Sequence, residues 1–455
     1  MKRNKPKYIV LYEKIKNSIE RGKYREDEKI PSIRQLATEE GISKNTVIQA
    51  LEELEAEGFI RAKKKSGYFV EKIHNLYHDR RGTDSQRRTF TDSQNFRMNL
   101  SHSAIDTGLF PLRSVQRIYR DILDEKNEKL LCHSEPQGMP ALRESISAYL
   151  ADYKQIKTSP NNIVISSGME YLYQIIIQLI DKNAVFGLEA VGYDIIPALL
   201  EMNSLAYVDV PIDENGIDVN FLDKTNISVQ VLTSVHQFPT GCRMCEDRKR
   251  QVLNWVEKSR EKYVIEDDYD GDLKYLGRGN FTLKSVDNGD RIIYMGSFSN
   301  TISPGTRISF MVLPNELLER YKKRLPFLIC PVGNVHQEFL RVFLDENLYA
   351  KHINKSRNHY RKKREKMMEI LKSRPEVRRI LGEDIGLYLL VELDTDREEK
   401  EIIENLHKNK ILIYGIKKYD RQNMYRYPVL ILGFGAIEYD EMQETVDEVF
   451  NIMDL

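Results

Sequence analysis

The sequence predicts a two-part α/β protein, with a small winged helix-turn-helix head followed by a larger body built on a mostly parallel sheet. Three observations lead there. The first 70 residues hold three stretches with apolar residues three and four apart, then two short runs that alternate in polarity. Beyond residue 160, short β-branched runs alternate with amphipathic stretches, as a parallel sheet wrapped by helices requires. The chain has 455 residues, whereas a single hydrophobic core stops growing near about 250–300.

Composition narrows the class. Hydrophobic residues make up 41% and charged residues 30%, which suits a globular chain and not a disordered one. There is no run of about 18 apolar residues, and the basic start Met1-Lys2-Arg3 carries no apolar stretch, so neither a membrane-spanning nor a conventionally secreted protein is expected. Four cysteines cannot form a disulfide framework in a chain of this size, and Cys242 and Cys245 make a lone CxxC. A reducing cytoplasm is the expected location. The net charge of zero conceals an asymmetry, because residues 1–97 carry 22 Lys and Arg against 15 Asp and Glu, leaving 47 against 54 for the rest. A basic head on an acidic body points to a polyanionic partner for the head.

Within the head, Tyr8, Leu11, Tyr12, Ile15 and Ile19 give an amphipathic first helix ending near Gly22. Ser32 is placed to cap a second helix containing Ile33, Leu36 and Ala37, and Gly41 suits the tight turn after it. Ser43 then caps a third helix whose apolar face is Val47, Ala50, Leu51 and Leu54. That leaves Lys44, Asn45, Thr46 and Gln49 free to reach phosphates and base edges. Phe59-Ile60-Arg61 and Tyr68-Phe69-Val70 alternate as two strands around a basic tip, Lys63-Lys64-Lys65-Ser66-Gly67. Such a wing would touch backbone phosphate.

The order of these features, through Lys29-Ile30-Pro31-Ser32-Ile33-Arg34, Gly41-Ile42-Ser43-Lys44-Asn45-Thr46 and Glu57-Gly58-Phe59-Ile60, closely resembles the GntR-type winged-helix domain. The resemblance implies that Arg34, Ser43, Lys44, Asn45, Thr46, Lys64 and Gly67 face double-stranded DNA. The head is assigned to residues 1–72, and residues 73–97, polar and rich in charge, read as a flexible linker. His74 and His78 lie four apart, but no Cys or carboxylate cluster completes a metal site around them.

In the body, residues 98–455, the runs Ile163–Ile165, Tyr207–Val210, Val229–Leu232, Tyr263–Ile265 and Ile292–Met295 are the candidate strands. The site is expected at their carboxyl ends. A basic helix from His359 to Leu371, with runs at Ile385–Glu392 and Ile411–Tyr414, suits a smaller α+β subdomain from about residue 330. Candidate site motifs fall on the strand-to-helix junctions. Ser166-Ser167-Gly168-Met169-Glu170 opens a helix whose free N–H groups would face an anion. Tyr193 offers an aromatic ring. Beyond it come His236-Gln237-Phe238-Pro239, Glu266-Asp267-Asp268-Tyr269-Asp270, and Ser297-Phe298-Ser299-Asn300 running on to Arg307.

Together these motifs resemble the large domain of fold-type I aminotransferases, in the version fused to a GntR-type head, the MocR-like transcriptional regulators. The resemblance spans nearly the whole chain. It implies a fold-type I transferase-like body, a homodimer, and a pocket for pyridoxal 5'-phosphate. Gly168, Met169, Glu170, Ser297, Ser299 and Arg307 would hold the phosphate. Tyr193 would stack on the ring and Asp267 would hold the ring nitrogen protonated. Tyr269 would meet the 3'-hydroxyl, with His236 and Gln237 on the rim.

Two positions depart from the family pattern. Where relatives carry the lysine that forms the Schiff base, this chain has Asn300, whose amide lone pair is delocalised and not nucleophilic. Where aminotransferases carry an arginine for the substrate carboxylate, it has Ile431, with Arg426 displaced along the strand. The expectation is therefore a DNA-binding regulator without aminotransferase activity, whose body senses a small molecule. Pyridoxal phosphate, or its adduct with an amino compound, would be held noncovalently. An aminotransferase carrying a DNA-binding head, and a body that serves only as a dimerisation scaffold, are the alternatives.

Overall fold

The computed structural model describes residues 6–20, 22–63, 66–71, 96–124, 128–275, 282–382 and 384–453. The chain divides into two units, Met1–Phe90 and Thr91–Leu455. In the first unit, helices Lys7–Glu20, Ile33–Glu40 and Lys44–Ala56 precede an antiparallel hairpin of Ile60–Lys63 and Gly67–Val70. Local chemistry sets these bounds. The Ser32 hydroxyl accepts from Gln35 N while Gln35 Oε1 accepts from Ser32 N, a reciprocal capping box. Gly41, at φ +63°, closes the helix in a left-handed conformation that a side chain would strain. Leu11, Ile15, Leu36, Val47, Leu51, Leu54, Ile60 and Val70 form the buried centre. Lys64 and most of the expected linker, with His74 and His78, lie outside the described residues; its last two residues are described, and Arg97 N donates to Lys410 O at 2.9 Å.

The body is built on a seven-stranded sheet in the order Ile163–Ser166, Ser309–Val312, Ile292–Ser297, Tyr263–Asp268, Val229–Leu232, Val185–Glu189, Ala206–Val210. All run the same way except Ser309–Val312, which is antiparallel to both neighbours. This strand and Val185–Glu189 extend the set read from the sequence. Ser309–Val312 is short and wholly buried, so it shows no alternation, and it follows Ile292–Ser297 without an intervening long helix.

A smaller antiparallel sheet, ordered Val377–Leu381, Tyr388–Leu393, Val429–Gly433, Tyr414–Gly415, forms the second layer of the body. The long basic helix begins already at Leu348 and runs to Lys372, burying Tyr360, Met367, Met368 and Leu371. The run expected as one strand at Ile411–Tyr414 splits. Ile411–Leu412 pairs in parallel with Met98–Asn99, and Tyr414–Gly415 joins the small sheet. The chain entering the body is thereby clamped to the small sheet, with Gly433 N donating to Leu100 O at 2.8 Å. A Cβ at Gly433 would lie 2.1 Å from Ser101 O, so only glycine permits that approach.

Candidate functional site

On the head, Arg34, Lys44, Asn45 and Gln49 are exposed at the second helix and the start of the third. Ser43 and Thr46 also have a local role. Their hydroxyls lie 2.8 Å apart, and Ser43 Oγ accepts from Thr46 N, so the pair fixes the start of the third helix. Gly67 stands at φ +110° with Lys29 Cε 3.0 Å from the place of a Cβ, which fits a tight wing. Exposed cations and amides thus stand on the second and third helices.

In the body, the carboxyl ends of the strands surround a cavity of about 220 Å³. Of the residues expected there, Gly168, Met169, Glu170, Tyr193, Asp267, Tyr269, Ser297, Ser299, Asn300 and Arg307 all line it.

One end is made for an anion. Gly168, at φ +102°, precedes the helix Met169–Leu179, whose first N–H groups have no partner within the helix. A Cβ on Gly168 would fall 2.0 Å from Arg307 Nη2, so the guanidinium approaches bare backbone. Arg307 Nη2 donates to Glu170 Oε2 at 2.7 Å. Three hydroxyls converge nearby: Ser309 and Ser297 are bonded at 2.9 Å, and Ser299 Oγ is buried without a partner. Sequence reasoning missed Ser309, although a hydroxyl two residues beyond Arg307 on a strand was a usable signal.

The other end carries a buried carboxyl beside aromatic rings. Asp267 is 5% exposed; its Oδ2 accepts from Tyr173 OH at 3.3 Å, and its Oδ1 is buried with no partner. Burial raises its carboxyl from 3.8 to about 8, with the nearby Asp268 and Asp270 charges adding and the Tyr173 bond opposing. A buried carboxyl oxygen without a partner is a group that a ligand donor could satisfy. The Tyr193 ring lies flat on Phe238, with centroids 3.8 Å apart and planes 1° from parallel. Tyr269 OH bonds His236 Nδ1 at 2.9 Å and Tyr388 OH at 3.3 Å.

Two expectations are corrected. His236 and Gln237, each 2% exposed, are not on the rim but buried behind it. His236 Nδ1 is held by Asp270 Oδ2 at 2.8 Å. Gln237 Nε2 donates to Val191 O and Phe238 O while its Oε1 accepts from Thr240, which leaves no side-chain group for a ligand. The reach of a motif residue depends on which way its turn points it, and spacing does not report that.

Asn300 lines the cavity and its Nδ2 donates to Tyr269 O at 3.2 Å. No lysine is among the described lining residues. Lys154 is buried but bonded to Asp268 and Asp272, each at 2.9 Å, and Lys284 is paired with Asp287 at 3.1 Å. Ile431 is buried in the strand Val429–Gly433, and Arg426 is exposed with its guanidinium over Tyr427. His102, Ser103, Tyr173, Ile195 and Ile196 complete the lining and carried no sequence signal. Among the described residues, no helix is long and apolar enough to cross a membrane, and no group of three metal-binding side chains is present.

Comparison with known proteins gives two family matches. Residues 7–70 match bacterial regulatory proteins of the gntR family, and residues 97–426 match aminotransferase class I and II. The chain is similar to the uncharacterized HTH-type transcriptional regulator YdeL of Bacillus subtilis, at 30% identity over 98% of this chain and 96% of that one. It is 24% identical to the HTH-type pyridoxine biosynthesis transcriptional regulator PdxR of Corynebacterium glutamicum, over 98% and 95% of the two chains. With the probable rhizopine catabolism regulatory protein MocR of Rhizobium meliloti it shares 26% identity, over 78% and 75%. Its fold is that of an archaeal alanine:glyoxylate aminotransferase, with a TM-score of 0.71 and 20% identity over 78% of this chain and 90% of that one.

Proposed function

The chain belongs to the aminotransferase class I and II family, joined to a gntR-family head, and is an HTH-type DNA-binding transcriptional regulator of the MocR and PdxR kind; from that premise we propose that its body senses pyridoxal 5'-phosphate, or an amino-compound adduct of it, held noncovalently. The observation that carries this reading is the unpartnered Asp267 Oδ1 in the same cavity as the anion seat at Gly168 and Arg307. A phosphorylated pyridine satisfies both ends at once. Backbone N–H groups at Met169 and Glu170, the hydroxyls of Ser297, Ser299 and Ser309, and Arg307 would hold the phosphate. Tyr193 would lie against the ring, and Asp267, ionised by contact with a ring N–H, would fix its orientation and protonation.

When bound to an aminotransferase, the cofactor supplies an electron sink for bond breaking at a substrate carbon. This chain's residues support binding and not that chemistry, because Asn300 can neither bond covalently to an aldehyde nor carry a proton. We read the body as noncatalytic and the molecule as a cytoplasmic homodimer whose two heads meet two half-sites of a duplex. Calorimetric titration of the full chain with pyridoxal phosphate tests the reading, followed by dialysis and titration of a duplex selected from random sequence. Expected are saturable binding, complete loss of cofactor on dialysis, and DNA affinity that differs between the two states. Absence of binding would overturn it.

A further inference from the structure

The segment that enters the body is held at Leu100 by Leu412 O and Gly433 N, and the next residues, His102 and Ser103, line the cavity. His102 Nδ1 is buried and has no hydrogen-bond partner. Its ring is caged by Phe238 at 4.9 Å, Tyr414 at 6.1 Å, Tyr388 at 6.2 Å and Tyr419 at 6.4 Å. A caged polar ring that lines a cavity and keeps one nitrogen buried and unbonded leaves a hydrogen-bonding group that the protein itself does not satisfy.

The charges around it say what kind of partner fits. Arg307 is the one cation among the described lining residues, and the phosphate seat takes it. Lys418 acts on His102 electrostatically, but it is outside the lining and paired with Asp194 at 3.3 Å. Ile431 is apolar where an aminotransferase grips a carboxylate. Burial, helped by Lys418 and opposed by Asp194, lowers the His102 pKa to about 4, so the imidazole is neutral near pH 7. A carboxylate brought here would be desolvated without a counter-charge, which strongly disfavours it.

We propose that His102 reads the free end of an amino compound attached to the cofactor, and that the compound accepted ends in a neutral hydrogen-bonding group, a hydroxyl or an amide, and not in a carboxylate. This rests on the reading of the cavity given above. The adduct forms in solution, where a primary amine and the aldehyde condense to a C=N bond with loss of water, so no residue need catalyse it. Ser103, beside His102 in the lining, offers a second neutral partner.

Reduced, non-hydrolysable adducts test the proposal with the full chain. N-phosphopyridoxyl-ethanolamine and N-phosphopyridoxyl-glycine differ only in a terminal hydroxymethyl against a carboxylate, and pyridoxamine phosphate has no free end. Calorimetry is expected to give the ethanolamine adduct at least tenfold tighter binding than the glycine adduct. His102→Phe, which keeps the aromatic packing, is expected to cut the affinity for the ethanolamine adduct about tenfold and leave pyridoxamine phosphate unchanged. Equal or tighter binding of the glycine adduct overturns the proposal while leaving the cofactor site intact. So does an equal loss for ethanolamine adduct and pyridoxamine phosphate in His102→Phe. Failure of all three compounds to bind the unmodified chain overturns the reading of the cavity itself.

Discussion

Arg307 and Glu170 meet over the bare α-carbon of Gly168: Arg307 Nη2 donates to Glu170 Oε2 at 2.7 Å, and a Cβ on Gly168 would lie 2.0 Å from the first atom and 2.6 Å from the second. A side-chain carboxylate thus stands in the anion seat at the start of the helix Met169–Leu179. Glu170, expected from sequence to serve through its backbone N–H, also brings a charge that competes for the arginine.

Replacing Glu170 should therefore tighten anion binding. Both partners of the pair are more than 40% exposed, so its net worth is small, about 0–1 kcal/mol. Glu170→Gln is expected to raise affinity for pyridoxal phosphate and for inorganic phosphate up to about fivefold, while Arg307→Ala should abolish the phosphate interaction. Calorimetry with both ligands checks this, and unchanged affinity in Glu170→Gln would show that the carboxylate swings clear at no cost.

Asp267 links the cavity to pH. Its carboxyl is raised from 3.8 to about 8 by burial, so between these values the folded protein without ligand holds a proton that the unfolded chain has released. The native state binds more protons, hence this group's contribution to stability is complete below about pH 4 and is lost as pH rises through about 8. Asp267→Asn removes the ionisable group, so relative to the parent the ligand-free variant should be more stable at pH 8 than it is at pH 5. The same variant should bind pyridoxal phosphate at least about tenfold more weakly, having lost the charge that meets a ring N–H. Equal melting shifts at both pH values would refute the account of the buried carboxyl.

What could be read in advance and what could not divide along physical lines. Gly168, Asp267, Ser297 and Arg307 sit at strand ends, where alternation of β-branched runs and helices already locates the carboxyl edge of the sheet. Tyr173 lies within a helix and reaches Asp267 only because that helix packs on the sheet. His102 and Ser103 reach the cavity through the pairing of Met98–Asn99 with Ile411–Leu412, which joins chain segments more than 300 residues apart. No local periodicity encodes such a pairing. The head was legible almost residue by residue because its caps, Ser32 and Ser43, and its turn, Gly41, are local signals.

On the head, the exposed Arg34 and Lys44 should carry separable shares of DNA binding. Where the side chain meets a base edge, truncation to alanine costs about 1–3 kcal/mol and relaxes sequence preference. Where it meets a phosphate, truncation instead weakens binding on every sequence and lowers the salt slope by about one. Titrations of Arg34→Ala and Lys44→Ala at several salt concentrations, on a selected duplex and a scrambled one, assign each side chain. If both variants keep the parent's affinity and slope, the duplex lies on another face.

The amide at position 300 allows the sharpest test of whether aldehyde chemistry is gone. Asn300 lines the cavity, and its Nδ2 donates to Tyr269 O, so the backbone here already places a side chain at the cavity wall. Lysine has the length and, if its amine is neutral, the nucleophilicity that asparagine lacks. Three other lysines are held elsewhere. Lys154 is bound between Asp268 and Asp272, which hold its ammonium protonated well above its ordinary pKa; Lys284 is paired with Asp287; and Lys274 is outside the lining, despite burial lowering its pKa. Borohydride reduction in the presence of pyridoxal phosphate, followed by peptide mass spectrometry, should accordingly find no stoichiometric adduct on the unmodified chain and one at position 300 in Asn300→Lys. A stoichiometric adduct on Lys154 or Lys274 of the unmodified chain would restore the enzyme reading. An Asn300→Lys chain that binds no cofactor would instead mean that the cavity is shaped for a different ligand.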